Sequence, residues 1–213
     1  MALTLTAPLW SPSPERAGSS AMSAFSWLCA YSFRIELPDH ASLHKWSVDE
    51  PSDFWRGVWD FCQVKGAPGD RPPVDGSDIL RARFFPDARL NFARNLLSCI
   101  GPEDAIIFQG EDKVAYRWSW DRLREEVSRL QQAFLAMGIA PSDRVAAMLP
   151  NMPETVACML AASSIGAVWA SCSPDFGVQE VVDRFGQIEP RLFLTCDAYW
   201  YGGKLQQSIK PAK

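Results

Sequence analysis

The chain has 213 residues, 47% of them hydrophobic and 22% charged, with a formal net charge of −4. This composition is typical of a folded globular domain and excludes a disordered chain. The negative charge argues against nucleic acid as a partner. The apolar run at residues 21–33 is too short to span a membrane, and the N-terminal residues lack the pattern of a signal peptide. We therefore expect a cytoplasmic protein with no membrane partner.

Cysteine and histidine usage indicates no metal site. The six cysteines are Cys29, Cys62, Cys99, Cys158, Cys172 and Cys196. None forms a CxxC pair and their spacing fits no zinc pattern, so we expect buried, reduced thiols. His40 and His44 are the only histidines, and we predict that both lie in a loop. A histidine-based metal site and a Ser-His-Asp triad are therefore poorly supported.

The N-terminal third is predicted to be an extended arm followed by helices. Residues 1–13 contain prolines that favour an extended chain. Ser13 before Pro14 is typical of a helix start, and residues 21–33 predict a buried helix. Residues 47–50 have the spacing of a capping box, and the aromatic residues that follow predict a helix at 51–62 whose aromatic face packs rather than binds a ligand.

A Pro- and Gly-rich stretch at residues 66–76 predicts a loop. We place a domain boundary there, between an arm with a helical cap at residues 1–76 and a main domain at 77–213. A short helix is predicted near residue 95. The arginines before it could form an anion site, but their alternation with apolar residues favours a solvated face.

The middle of the chain predicts a hairpin and a long helix. Residues 105–108 and 114–118 are short apolar runs around a Gly-Glu-Asp turn, a pattern typical of a β-hairpin. Ser119 can cap the next helix and Gly138 can end it. Its apolar stripe comprises Trp120, Leu123, Val127, Leu130, Phe134 and Met137.

Residues 144–196 read as strand, helix, strand, helix, strand, and the other elements are arranged around them. The strands are apolar on both faces, which favours burial on both sides in a parallel sheet. Pro153 begins the first crossover helix and Gly166 ends it. The second helix has an apolar stripe of Val178, Val181, Val182, Phe185 and Ile188. The predicted fold class is α/β, a parallel βαβαβ core preceded by a helical cap and a β-hairpin. Because few residues follow the third strand, we expect the front part of a longer sheet.

No complete catalytic motif is present: phosphate-loop, nucleophile-elbow, HExxH and GxGxxG patterns are all missing. We therefore predict no catalytic residue. Two segments could contact a ligand. Residues 171–177 (SCSPDFG) lead into a helix N-terminus and could hold an anion. Tyr201, Gly202, Gly203 and Lys204 combine a flexible backbone with a point charge, which suits a phosphate. Judged by residues alone, ordinary turns are favoured in both places.

Several segments together resemble the acetoacetyl-CoA synthetase family. They are PLWSPSPER, LHKWSVDEPSDFWRGVWDF, FFPDARLNFARNLL, SDRVAAMLPNMPETV, AASSIGAVWASCSPDFGVQEVVDRFGQIEP and YGGK. This family lies within the acyl-adenylate-forming superfamily, close to acetyl-CoA synthetase. Acetyl-CoA synthetases typically carry a glycine-rich FGGFS-like segment where residues 172–177 stand, and this difference favours acetoacetate over acetate.

The resemblance implies the first part of an adenylate-forming large domain, with residues 1–76 similar to the acetyl-CoA synthetase N-terminal region and 77–213 a truncated AMP-binding synthetase domain. It implies an ATP-dependent acetoacetate–CoA ligase that uses ATP, coenzyme A and Mg²⁺. It implies a coenzyme A contact at residues 201–204. The family's Ser/Thr/Gly-rich phosphate loop and its catalytic lysine are missing from this sequence, so we expect the chain to be inactive alone and to need a C-terminal remainder as its partner.

Some positions depart from the family pattern. Phe84 stands for a usual Trp, Asp87 for Gly, Arg94 for Glu, Ser142 for Gly, and Trp200 for an Arg that precedes YGGK. The change at Trp200 weakens the case for a coenzyme A phosphate contact. Two alternatives stay open: a non-catalytic module that binds coenzyme A or a nucleotide, and a part of a ligase for acetate or another short acid.

Overall fold

The computed structural model describes residues 10–76, 78 and 80–208. The chain divides into two compact units, the first ending at Arg89 and the second beginning at Leu90. The boundary expected after Gly76 remains a prediction about domain organisation. Most of the predicted N-terminal arm, residues 1–9, lies outside the described residues. Within the described part of the chain, no helix is both long and apolar enough to cross a bilayer.

The first unit contains four helices among its described residues. They are α1 (Pro14–Gly18), α2 (Ala21–Phe33), α3 (His40–Asp49) and α4 (Pro51–Phe61). The predicted start of α1 is confirmed, because the hydroxyl of Ser13 accepts a hydrogen bond from the backbone of Arg16. Helix α2 is confirmed, but it is buried on one side only. Trp27 and Tyr31 stack on each other and are 68% and 76% exposed.

Helix α3 corrects two predictions. His40 and His44 lie in this helix, not in a loop. The capping box is at Asp39 and Ser42, where the carboxylate of Asp39 accepts from Ser42 N at 2.8 Å and Ser42 Oγ accepts from Asp39 N at 3.2 Å. The predicted box at residues 47–50 does not form, because Ser47 is inside α3 and its hydroxyl donates to the carbonyl of His44.

The core of the first unit is aromatic, as expected for helix α4. Phe25 contacts Phe54 and Phe61 edge-on, and Trp46 contacts Phe54 in the same way. Gly57 of α4 faces the fully buried Cys29 of α2: a Cβ atom at Gly57 would lie 2.8 Å from Cys29 Sγ. The two helices approach closely because this position has no side chain.

Three short strands follow. β1 (Gly66–Ala67) and β2 (Val74–Asp75) lie within the predicted loop, and β3 (Arg83–Phe84) lies after it; β2 and β3 pair antiparallel. Asp87, one of the departures from the family, binds Arg71 across the loop at 2.9 Å from Nε. This hydrogen bond lowers the pKa of Asp87 and raises that of Arg71.

The second unit contains the predicted hairpin and long helix. Its first elements are α5 (Phe92–Leu96), β5 (Asp104–Gly110), β6 (Val114–Ser119) and α6 (Trp120–Ala136); β4 (Arg89–Leu90) lies at the division between the units. Strands β5 and β6 pair antiparallel. Ser119 caps α6 by accepting from Arg122 N. Leu123, Val127 and Phe134 are buried and confirm the predicted stripe, whereas Met137 is exposed at the helix end.

The central stretch forms the parallel sheet that its pattern predicts. Its elements are β7 (Arg144–Met148), α7 (Pro153–Ser164), β8 (Val168–Cys172), α8 (Val178–Gly186) and β9 (Leu192–Thr195). The strand order is β8-β7-β9, and β7 pairs parallel with both neighbours. Asn91, the N-cap of α5, donates its side-chain amide to the last carbonyls of α7 at 3.0 and 3.1 Å, which ties α5 to the end of this helix.

Burial of the sheet differs from the prediction at its sides. Only β7 is buried on both faces, with three consecutive residues fully inaccessible. Val168 of β8 and Phe193 of β9 are 51% and 45% exposed, because each of these strands pairs on one side only among the described residues. On α8 the predicted stripe is also only partly buried. Phe185 is in the core, but Val178 and Val182 face away from it.

The contact between Gly57 and Cys29 predicts an unusual effect of alanine. In most helix interiors a Gly to Ala change stabilises by about 0.5–1 kcal/mol, but Gly57→Ala should destabilise the chain by about 1–3 kcal/mol, because the added methyl group overlaps Cys29 Sγ. The free energy of unfolding from urea denaturation, followed by circular dichroism, measures this effect. Gly186→Ala is the control, since no atom lies within 4 Å of its added Cβ. A destabilisation that persists undiminished in a Cys29→Ala background would contradict this cause.

Candidate functional site

The carboxyl ends of the parallel strands are where α/β sheets place their ligands, and both predicted contact segments follow such an end. In the segment 171–177, Ser171 and Cys172 are the last residues of β8 and residues 173–177 follow it, and a second hairpin follows β9. This hairpin consists of β10 (Ala198–Tyr201) and β11 (Lys204–Gln207). Its base is closed by a hydrogen bond from Ser208 N to the carbonyl of Asp197 at 2.9 Å.

The four residues singled out by the sequence form the tip of this hairpin. Tyr201 and Lys204 are cross-strand partners, and Gly202 and Gly203 make the two-residue turn between them. The turn needs glycine because both positions have positive φ, 59° and 71°. All four residues are exposed. The structure therefore contains the surface turn that was the alternative to a ligand contact, and a coenzyme A contact here remains a prediction.

The turn amides bind an anionic group within the chain. Gly202 N donates to Glu111 Oε1 at 2.6 Å, and Gly203 N donates to Glu111 Oε2 at 2.9 Å. Glu111 lies in the turn between β5 and β6, so the tips of the two hairpins meet. Beside this contact, the ammonium group of Lys113 lies 5.6 Å from the ring centre of Trp200. The role of Glu111 could not be predicted from the sequence, because no local pattern relates residues that are far apart in the chain.

The loop at residues 173–177 gives less support to an anion site. Gly177 is the N-cap of α8 and makes no side-chain cap. A Cβ atom at Gly177 would lie 2.3 Å from Glu180 Oε2, so a carboxylate of the first turn already occupies the space next to this helix N-terminus. Ser171 accepts a hydrogen bond from the Trp169 ring instead of pointing to a free site. In the second hairpin, burial and then the negative charge of Asp175 raise the pKa of Tyr199.

A cavity of about 410 Å³ lies elsewhere in the second unit, between α5, α6 and the end of α7. Arg94 and Arg124 line it, and the guanidinium of Arg124 donates to the carbonyl of Leu97. Because α7 runs antiparallel to the strands, its end lies near the amino ends of the sheet. The cavity is therefore on the opposite side from the loops in which such sheets bind ligands.

The cysteines are only partly buried, which corrects the expectation for this residue type. All six are free, but Cys62 and Cys99 are exposed. Cys62 follows the last residue of α4, where the helix no longer covers it. Burial raises the pKa of Cys29 and Cys158 to about 11 each, and that of Cys172 is also raised. These three thiols stay protonated at neutral pH and are poor nucleophiles.

The described residues contain no group of three or more His, Cys, Asp or Glu side chains that could hold a metal ion. The carboxylate of Glu154, at the start of α7, accepts a hydrogen bond from the hydroxyl of Tyr116, which lies 2.8 and 3.0 Å from its two oxygens. Burial and this hydrogen bond raise the pKa of Tyr116 to about 12.

The parallel βαβαβ core with a glycine-tipped hairpin beyond its carboxyl edge is an α/β arrangement of the kind that enzymes use to bind ligands. Residues 101–212 match the sequence profile of the AMP-binding enzyme family. This match covers more than half of the chain, and the chain belongs to the AMP-binding enzymes.

The chain is similar to acyl-CoA synthetases, of which three are described. It is 57% identical over 199 residues to the acetoacetyl-coenzyme A synthetase of Rhizobium meliloti (strain 1021), covering 93% of this chain and 31% of the relative. It is 37% identical over 205 residues to the malonamoyl-CoA synthetase of Penicillium aethiopicum, covering 92% of this chain and 28% of the relative. The solved acetoacetyl-CoA synthetase from Streptomyces lividans superposes with a TM-score of 0.88 at 35% identity, covering 95% of this chain and 32% of that one.

These similarities confirm the predicted resemblance to acetoacetyl-CoA synthetase and the predicted α/β class. The chain spans about a third of the length of the relatives it matches.

The reactivity of the six thiols tests the burial that the structure assigns to each cysteine. With a chromogenic disulfide reagent at pH 8, we expect two fast-reacting thiols, the exposed Cys62 and Cys99. Cys29, Cys158 and Cys172 should react slowly, since they are buried and have raised pKa values, and the half-buried Cys196, which contacts the hydroxyl of Ser208, should react at an intermediate rate. The doubly substituted Cys62→Ser, Cys99→Ser chain should lose the fast phase. In the urea-unfolded chain all six thiols should react, and this total is the reference for the folded chain. A fast phase that survives both substitutions would contradict the structure.

Proposed function

We propose that the chain is the N-terminal portion of an ATP-dependent acetoacetate–CoA ligase. The observation that carries this proposal is the 57% identity to the Rhizobium meliloti acetoacetyl-coenzyme A synthetase across 93% of the chain. The overall reaction converts acetoacetate, ATP and coenzyme A to acetoacetyl-CoA, AMP and pyrophosphate. Membership of the AMP-binding enzymes supports the class of chemistry, and the acid itself is inferred from the relatives.

The chemistry proceeds by activation of a carboxylate, which is a poor electrophile. A carboxylate oxygen attacks the α-phosphorus of ATP and pyrophosphate leaves, giving a mixed anhydride. The thiol of coenzyme A, losing its proton, then attacks the acyl carbon and AMP leaves. Charge on the phosphates must be neutralised by basic groups and Mg²⁺. We assign no step involving ATP or Mg²⁺ to the residues described here, because they offer no metal-ligating cluster and the sequence lacks the phosphate-binding motifs.

For residues 201–204 we propose a contact with the anionic part of coenzyme A. Two observations support it. The amides of Gly202 and Gly203 are oriented so that they bind both oxygens of one carboxylate, and phosphate oxygens are acceptors of the same kind. Lys204 directly follows the turn, is exposed and can supply a positive charge. The side chain of Tyr201, on the other strand of the turn, is exposed on the same hairpin tip.

Two alternatives differ in observable ways. A non-catalytic module would bind coenzyme A or a nucleotide but gain no activity when the rest of a ligase is supplied. A ligase for a different short acid would be active on that acid. One relative is named malonamoyl-CoA synthetase, so malonamate is a rival substrate besides acetate. Like acetoacetate, malonamate carries a carbonyl group at the third carbon.

The isolated chain should form no acetoacetyl-CoA from ATP, acetoacetate and coenzyme A, because it lacks groups that handle the triphosphate. We expect activity when the chain is joined to the remaining two thirds of the Rhizobium meliloti enzyme. Absorbance of the thioester product measures both cases, with acetate and malonamate as comparison substrates. Turnover by the isolated chain would refute the inactivity, and a folded but inactive chimera would favour the non-catalytic module.

In that chimera, Lys204→Gln should raise the KM for coenzyme A by about three- to tenfold, because a charge-assisted contact is lost. The KM values for ATP and acetoacetate should stay unchanged. Lys45→Gln is the matched control, since Lys45 forms an exposed ion pair with Asp49 within α3. An equal effect of both substitutions, or no effect of Lys204→Gln, would contradict the proposed contact.

A further inference from the structure

The amide pair of the glycine turn already has an occupant. Both oxygens of Glu111 accept hydrogen bonds from it, at 2.6 and 2.9 Å. A ligand oxyanion that uses these two amides must take the place of this carboxylate, because each amide has a single hydrogen to donate. The occupant and the ligand are therefore mutually exclusive.

Glu111 is held in position by its own turn. Its φ is 52°, a left-handed conformation that is unfavourable for a residue with a side chain. The side-chain amide of Gln109 donates to the carbonyl of Glu111 at 2.5 Å. The neighbouring carboxylate of Asp112 is paired with Lys113 at 3.1 Å and does not contact the glycines. Of the two acids in this turn, only Glu111 reaches the amide pair.

The glycine turn does not depend on Glu111 for its shape. Two consecutive glycines with positive φ form a two-residue hairpin turn of the type that matches strand twist, and four cross-strand pairs hold the strands on either side. The loss of the Glu111 carboxylate should therefore leave the amides oriented as before, but free.

We propose that Glu111 is an internal competitor that sets which anions the glycine turn accepts. A ligand that carries a single charge and makes no contact beyond the two amides does not displace the carboxylate of Glu111. A phosphorylated ligand that also reaches Lys204 and the surface around Tyr201 does displace it. This inference rests on the proposed coenzyme A contact for its natural ligand, but the competition itself applies to any oxyanion at these amides.

The test compares Glu111→Gln with Asp112→Asn in the chain labelled with ¹⁵N-glycine. Each substitution removes one negative charge from the same turn, so a general electrostatic effect is common to both. Only Glu111→Gln weakens the contact with the amides, since a neutral amide side chain offers one oxygen in place of the carboxylate's two. We expect the Gly202 and Gly203 amide resonances to move upfield in Glu111→Gln and to stay in place in Asp112→Asn.

Titration with coenzyme A, and separately with inorganic phosphate, measures the competition. We expect Glu111→Gln to bind each about three- to tenfold more tightly than Asp112→Asn. Unchanged glycine resonances in Glu111→Gln, or equal affinities in the two variants, would overturn the inference. Tighter binding of phosphate without binding of coenzyme A would support the competition and refute the proposed coenzyme A contact, so the two failures are distinguishable.

Discussion

The second unit depends on the burial of strand β7 between its two neighbours. Val145, Ala146 and Ala147 are fully inaccessible, and the strand shares its backbone hydrogen bonds with β8 on one side and β9 on the other. Small side chains at two of these positions leave room for helices to pack closely against the sheet. The pairing fixes where β8 and β9 end, and these ends determine where residues 173–177 and the second hairpin begin. The candidate site is in this sense positioned by a strand that contributes no residue to it.

Elements with long, regular periodicity could be predicted from the sequence. The stripe of α6 and the alternation of apolar strands with helices are repeated signals, and each repeat supports the same assignment. Short signals were less reliable. The capping box expected at residues 47–50 failed because the same four-residue spacing occurs by chance, and the box at Asp39 and Ser42 begins the helix earlier. The apolar stripe of α8 is present but only partly buried, because a stripe shows what a helix can cover but not what lies opposite it.

The contact that most affects the candidate site could not be read from the sequence. Glu111 and the glycine turn belong to two hairpins separated by three strands and three helices. Which turns meet depends on how each hairpin leaves the sheet, a property of the whole unit. The glycines themselves could be predicted to have an unusual backbone, because two consecutive glycines are typical of a tight turn. Their hydrogen-bond partner could not.

Because β7 pairs with strands that follow it in the chain, the sheet can be completed only as synthesis proceeds. Strand β7 ends at Met148, but its second neighbour is complete only at Thr195. At about 5–20 residues per second, the ribosome needs several seconds to supply the segment between them. During this interval strand β7, with its three fully inaccessible residues, has at least one open edge, and α6 with the first hairpin is already available to shield one of its faces. Both edges of β7 are open until β8 is complete, and one stays open until β9 emerges, so the nascent chain is prone to wrong pairing throughout this interval.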